Sequence, residues 1–262
     1  MNFQNVPRDS DVVKRAFIPK RGAFSFFDYG SIEPRLAAYF SSKLGYDEFA
    51  QQIRDGSDPY TAVAQLVTGQ TEIDKDERTK WKVMFLSLMY GGGMRTIQLQ
   101  FDVSAAEAKR RIKTFHTNFP FVDVLHAAVQ ASHRRRGYII GLDGRHLHAE
   151  EYGEHKLLNK LIQGSAAGLM KQALLNVHRW ILKDSSDDLN KRARYGDPLS
   201  SRMVSVIHDE IIFDGPVSEL ATLNKKIPPL MIVRQDVHEI VPIVVDHEIS
   251  LTTWADKGPY VT

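Results

Sequence analysis

Two apolar runs, one near each end of the chain, stop abruptly at acidic residues. Ala23 to Asp28 reads Ala-Phe-Ser-Phe-Phe-Asp and predicts a buried strand with a carboxylate at its tip. Val204 to Phe213 predicts a hairpin whose turn carries His208, Asp209 and Glu210. Between the two runs the apolar spacing becomes helical. Helices are predicted over Ile32–Phe40, with Pro34 in the first turn, and over Pro59–Val67. Another spans Asp74–Tyr90, opened by acidic residues and stopped by Gly91-Gly92-Gly93. Ser104 and Glu107 read as a capping box for a helix reaching Asn118. A helix over Val122–Arg135 ends at Gly137, and a hairpin turns at Asp143-Gly144. A long helix over His155–Lys183 contains Gly164-Ser165-Ala166-Ala167-Gly168, small enough for a backbone or a duplex to approach closely.

The remaining stretches are less regular. Residues 1–19 read as extended and turn-rich, and 184–201 as an exposed polar loop. A helical stretch over Val217–Ile227 is expected to end before Pro228-Pro229, and Val241–Ile249 reads as a strand. Strands sit at both ends and helices in the middle. That order predicts an α+β fold, a sheet lobe with a helical lobe inserted.

Composition narrows the classes. The 262 residues suffice for one large domain or two lobes. Cysteine is absent, which removes disulfides and Cys-ligated zinc and fits a reducing cytoplasm. No apolar stretch approaches 18 residues and Met1 to Ser10 is polar, so neither a membrane span nor a signal peptide is expected. The net charge of +2 makes any nucleic-acid surface a local feature.

The acidic tips carry the sharpest chemistry. If their strands are neighbours, Asp28 and Asp209 meet at one sheet edge, where like charges repel unless cations intervene. Oxygen ligands suit magnesium, and paired magnesium ions serve phosphoryl transfer. Strand caps alone would have the same appearance. Arg78, Lys82, Leu86 and Tyr90 are four apart and form one slowly turning helical stripe. Two cations and an aromatic there can take a triphosphate and a base; a solvated basic face beside a core tyrosine has the same spacing. Asn159 and Gln163 are an i, i+4 amide pair that can read minor-groove acceptors or simply lie on a surface. His208 can contact a phosphate or be structural. Arg134-Arg135-Arg136 can meet a phosphate backbone or compensate a helix dipole.

Taken together, these stretches resemble the polymerase domain of family A DNA polymerases. Phe3 to Arg8 is similar to LQNIPxR and Arg15 to Ile18 to RRAFI. Asp28 to Arg35 is similar to motif A, DYSQIELR. Arg78, Lys82 and Tyr90-Gly91 fit motif B, RxxxKxxxFxxxYG. Arg136-Gly137-Tyr138 and Gly144-Arg145 fit the segment that follows. Asn159 to Ala167 is similar to NxxxQGTAA, and Val206 to Glu210 to motif C, VHDE. The matches come in family order across nearly the whole chain.

The resemblance implies a palm built from residues 1–40 and 141–262 around helical fingers at 41–140, with the thumb absent. It implies template-directed DNA synthesis with two Mg2+ held by Asp28, Asp209 and the Tyr29 carbonyl, and Glu210 assisting. Lys82 joins Arg78 on the incoming triphosphate and protonates the leaving group. Leu86 and Tyr90 border the nascent pair, and Glu33 excludes a 2′-hydroxyl. Asn159, Gln163 and His208 hold the primer-template. Leu86 replaces the family's aromatic, Gly30, Ser31 and Pro34 replace Ser, Gln and Leu, His155 replaces an Arg and Gly168 an Asp. The upstream TGRLSS-like motif and the exonuclease domains have no counterpart. A second polypeptide supplying the thumb is therefore expected as a partner beside primer-template DNA and deoxynucleoside triphosphates. The rival readings are a non-catalytic nucleic-acid-binding remnant and a two-metal nuclease or phosphatase.

Overall fold

Strand β1 (Ala23–Tyr29) is buried along nearly its whole length, which is why its sequence is a continuous apolar run rather than an alternation. It lies at the centre of a five-stranded antiparallel sheet in the order β4-β5-β1-β6-β7. The neighbours are β4 (Arg202–Ile207), β5 (Glu210–Gly215), β6 (Val245–Ser250) and β7 (Gly258–Pro259). The computed structural model describes residues 11–148, 153–184 and 199–261. They divide into a sheet-bearing unit, within Met1–Gly30, Leu169–Gln235 and Ile243–Thr262, and a helical unit, Ser31–Gly168 with Asp236–Pro242.

The sheet has two different faces. Phe24 and Phe26 point to one side, where they cluster with Ile212 and Trp254, flanked by Phe17 and Ile207. Phe27 points to the other side and packs edge-on against Phe213 and flat on His247, at 5.8 and 4.2 Å between ring centres. Helix α10 (Leu220–Met231) covers this side, burying Leu223, Ile227 and Met231. The Tyr29 hydroxyl donates to the Met231 carbonyl at 2.6 Å. Burying a side chain such as Phe27 is worth about 1.5–3 kcal/mol.

Helix α10 departs from the sequence expectation, because it runs through Pro228 and Pro229 to Met231. Both prolines fall in the last helical turns, and the buried row of Leu223, Ile227 and Met231 offsets the two missing N–H donors. A short helix not anticipated, α11 (Gln235–Ile240), follows. It delays the last long strand, so β6 begins at Val245 rather than Val241.

Within the stretch expected to be extended, Asp11–Arg15 form a short helix, α1. The helical unit contains α2 (Ile32–Lys43), α3 (Glu48–Arg54), α4 (Pro59–Thr68), α5 (Lys75–Met89), α6 (Met94–Phe101), α7 (Ala105–Asn118) and α8 (Phe121–Arg136). It also holds the hairpin β2 (Ile139–Ile140) and β3 (His146–Leu147), and the first part of α9 (Leu157–Asp184). The expected caps are present. Asp74 and Ser104 accept from the backbone N–H three residues on, Gly137 closes α8 at φ 78°, and Asp58, not anticipated, caps α4 in the same way. Glu107, however, does not complete a reciprocal box; its carboxylate holds Arg110 and Arg111 instead. The core is a nest of rings. Phe49 lies 5.2 Å from Phe121 and 5.7 Å from both Phe85 and Phe119, centre to centre. Residues 1–10 and most of the loop at 184–201 lie outside the described residues, and with them the LQNIPxR-like stretch.

Candidate active site

Pairing of β1 with β5 puts Asp28 directly opposite Glu210, and the Tyr29 N–H donates to the Asp209 carbonyl at 3.3 Å. The two acidic tips therefore meet. His208 opens the turn with φ 55°, a left-handed conformation that His tolerates better than most side chains, and is exposed. The Asp28 and Asp209 carboxyls lie within hydrogen-bonding reach of each other, and burial, then the charges of Asp209 and Glu210, push the Asp28 carboxyl up to about 7. Burial also pushes Glu210 up.

Lys257 answers only part of this negative charge. Its Nζ lies 2.6 Å from Glu210 Oε2 and 2.6 Å from Glu248 Oε2. Burial alone would lower the ammonium, but the two glutamates outweigh it and hold it protonated. Glu210 is thus compensated from within the sheet. Asp28 feels Lys257 too, but burial and the charges of Asp209 and Glu210 outweigh it, and its Oδ1 is a buried atom without a hydrogen-bond partner. A buried, unsatisfied carboxylate oxygen beside a second carboxylate fits a hard divalent cation. Among the described residues no three His, Cys, Asp or Glu side chains converge as a metal cage. Any such cation would rest on two carboxylates, with its remaining positions left to carbonyl, water or phosphate oxygens.

The helical unit gathers a second set. On α5, Trp81, Met84, Phe85, Leu88 and Met89 are buried, while Arg78, Lys82, Leu86 and Tyr90 form the half-exposed stripe. Arg78 makes a fork to Asp58, Nε to Oδ1 at 2.8 Å and Nη2 to Oδ2 at 2.6 Å. The Arg78 guanidinium and the Lys82 ammonium each sit 5.4 Å from the centre of the buried Tyr60 ring. At the end of the helix the Tyr90 hydroxyl donates to Glu33 Oε1 at 3.0 Å, and Gln163 Nε2 reaches the same oxygen at 3.3 Å. Burial, with Glu33 adding to it, pushes the Tyr90 phenol well above its ordinary value. One turn before Gln163, the Asn159 Oδ1 is buried without a partner.

Two stretches that the sequence left open meet partners within the chain. The small residues of α9 are filled by the chain's own hairpin. Leu147 lies against Gly164, and a Cβ at Gly168 would come 2.8 Å from Asp143 Oδ2. Ser165 Oγ accepts from the Leu142 N–H at 3.1 Å. The contact with Asp143 explains why Gly stands where an Asp is expected at 168. Arg134 is tied to Glu154 at 2.8 Å.

Asp58, Tyr60, Glu248 and Lys257 escape a reading of the sequence. Asp58-Pro59 signals only a helix start, and Lys257 follows Trp254 with no spacing that marks it.

Comparison with known proteins follows this geometry. Residues 1–256 match the model of DNA polymerase family A. The chain is 27% identical to DNA polymerase I of Bacillus caldotenax over 97% of its own length and 29% of that protein's. Against DNA polymerase I of Chloroflexus aurantiacus the identity is 26%, over 98% of the chain and 27% of the relative. The chain thus spans less than a third of these relatives. The polymerase domain of Pol1 from M. smegmatis, solved with a DNA primer-template and dNTP, superposes with a TM-score of 0.79 at 25% identity. That match covers 97% of the chain and 44% of the polymerase domain.

Proposed function

The chain belongs to DNA polymerase family A, and from that premise we propose that it extends a primer 3′-hydroxyl with deoxynucleotides on a DNA template. The observation that carries this reading is the meeting of Asp28 and Asp209 at the sheet edge, with one Asp28 oxygen buried and unpartnered. In this reading residues 1–40 and 141–262 are the palm and 41–140 the fingers.

Asp28, Asp209 and the Tyr29 carbonyl would hold two magnesium ions, which when bound would neutralise phosphate charge and acidify the primer hydroxyl. Lys257 keeps Glu210 occupied, so Glu210 assists rather than ligates. Arg78 and Lys82 take the triphosphate oxygens, and Lys82 supplies a proton to the departing pyrophosphate. Leu86 and Tyr90 border the incoming base and sugar. Glu33, fixed by Tyr90 and Gln163, fills the volume a 2′-hydroxyl needs. Asn159, Gln163 and His208 hold the primer-template.

Phosphate contacts dominate duplex affinity, and a net charge of +2 offers few. A second polypeptide supplying thumb contacts completes the proposal. A cavity of about 260 Å³ lined by Phe17, Phe24, Phe26, Ile207, Ile212 and Trp254 would seat it, beside exposed Ile18 and Val204. Primer extension with and without magnesium tests the core reading. Asp28→Ala and Asp209→Ala should each lower incorporation by roughly 10³-fold or more while the protein stays folded. Near-parental extension by either variant overturns it. Tight, processive synthesis at about 150 mM salt by the chain alone would remove the second polypeptide, since lost phosphate contacts show first as salt sensitivity.

A further inference from the structure

Asp58 places a negative charge beside the two cations of the α5 stripe. Next to a site for a triphosphate, a carboxylate is electrostatically unfavourable unless it does something else. Its geometry shows what. Asp58 caps α4 and is held by the Thr61 N–H and the Thr61 hydroxyl, both at 2.9 Å to Oδ1. Both of its oxygens then grip Arg78 through Nε and Nη2, and Tyr60 lies under the guanidinium. A bidentate fork fixes the guanidinium plane as well as its position. The fork uses Nε and Nη2, and Nη1 remains for a further acceptor. The pair holds Asp58 below the usual carboxylate range despite its partial burial, so the fork persists at neutral pH.

We propose that Asp58 is a positioning residue for the nucleotide: it aims Arg78 so that Nη1 meets the triphosphate tail. The inference rests on the reading of Arg78 and Lys82 as the triphosphate site. Its physical content is preorganisation. The rotamer freedom of a long arginine is lost when the protein folds rather than when nucleotide binds. Tyr60 belongs to the same device, since its ring sits 5.4 Å from both cations.

The test is equilibrium binding of a fluorescent deoxynucleoside triphosphate, and of the matching monophosphate, to the purified chain in magnesium buffer, read by anisotropy. Melting temperatures are recorded for each variant. Asp58→Ser keeps a capping oxygen but removes the fork. It should melt near the parent and weaken triphosphate binding by about 10-fold, the order of one charge-assisted contact. Monophosphate binding should not change. Asp58→Asn keeps the cap and neutralises the fork, and should weaken triphosphate binding by about 3-fold on the same grounds. If the Ser variant does not fold, the Asn variant decides. Arg78→Ala should weaken triphosphate binding at least as much, and adding Asp58→Ser to it should cause no further loss. Parent-like binding by the Asp58 variants, with Arg78→Ala weakened, overturns the positioning role and leaves the nucleotide site standing. Tighter binding by the Asp58 variants also overturns it, because Asp58 would then compete with phosphate. An unchanged Arg78→Ala removes the nucleotide site itself and the inference with it.

Discussion

Replacing Asp28 with asparagine should stabilise the protein and abolish its chemistry together. The carboxyl titrates at about 7 in the fold against an ordinary 3.8, with burial the leading cause and the charges of Asp209 and Glu210 adding to it. At about 1.36 kcal/mol for each pH unit, the ionised form carries a penalty of about 4 kcal/mol in the native state. The asparagine amide is itself polar and must still be buried, so about half, roughly 2 kcal/mol, is the expected gain. The asparagine amide also offers a donor to the Asp209 carboxylate. The sign follows from proton binding. Between 3.8 and about 7 the native state holds a proton that the unfolded chain has lost, so the Asp28 contribution to the parent's stability rises as pH falls through this window. The advantage of Asp28→Asn should therefore be full at pH 8, fade below 7 and vanish near 4. Urea unfolding with EDTA across that range measures it. Magnesium at about ten times its dissociation constant should stabilise the parent by about 1.4 kcal/mol and leave the variant unmoved. A variant less stable than the parent at pH 8 would mean that the carboxylates are not crowded, and the metal reading would lose its main support.

Other expectations are separable from this one. Glu33→Ala should raise ribonucleotide incorporation relative to deoxynucleotide, because Glu33 is held in place by Tyr90 and Gln163; an unchanged ratio in competitive primer extension would mean that Glu33 does not face the sugar. Leu86→Phe should lower the apparent KM for nucleotides by a few-fold at most, since an aromatic contact is worth about 0.5–1.5 kcal/mol, and identical KM values would place Leu86 away from the nucleotide. Burial holds the His247 ring down at about 4, neutral between Phe27 and Tyr260. The unfolded chain takes up a proton near 6.5 that the fold refuses, so the contribution of this ring should fall as pH drops from 6.5 toward 4, opposing that of Asp28; a His247→Phe variant whose stability changes with pH just as the parent's does in urea unfolding would remove that contribution.

What the sequence determined by itself is local. The cap of each helix depends on residues three or four positions apart, so Asp74, Ser104 and Gly137 announced boundaries that the structure keeps. The alignment of Arg78, Lys82, Leu86 and Tyr90 follows from the helical period alone. The strand ending in Asp28 and the hairpin turning at Asp209 were equally legible, because an apolar run that stops at a charge needs no partner to be seen. The motif order also carried the family, which depends on residue identity rather than on contacts. Only the tertiary structure decided which charges answer one another. Sheet register sets Asp28 against Glu210, and closure by β6 and the tail brings Lys257 to Glu210 and Glu248, leaving the Asp28 Oδ1 without a hydrogen-bond partner. Packing of α4 against α5 delivers Asp58 and Tyr60 to Arg78. Packing also filled the small-residue stripe of α9 with the chain's own hairpin and carried α10 through two prolines. These outcomes belong to residues far apart in the chain, whose meeting is fixed by how apolar faces pair and where the backbone hydrogen bonds close.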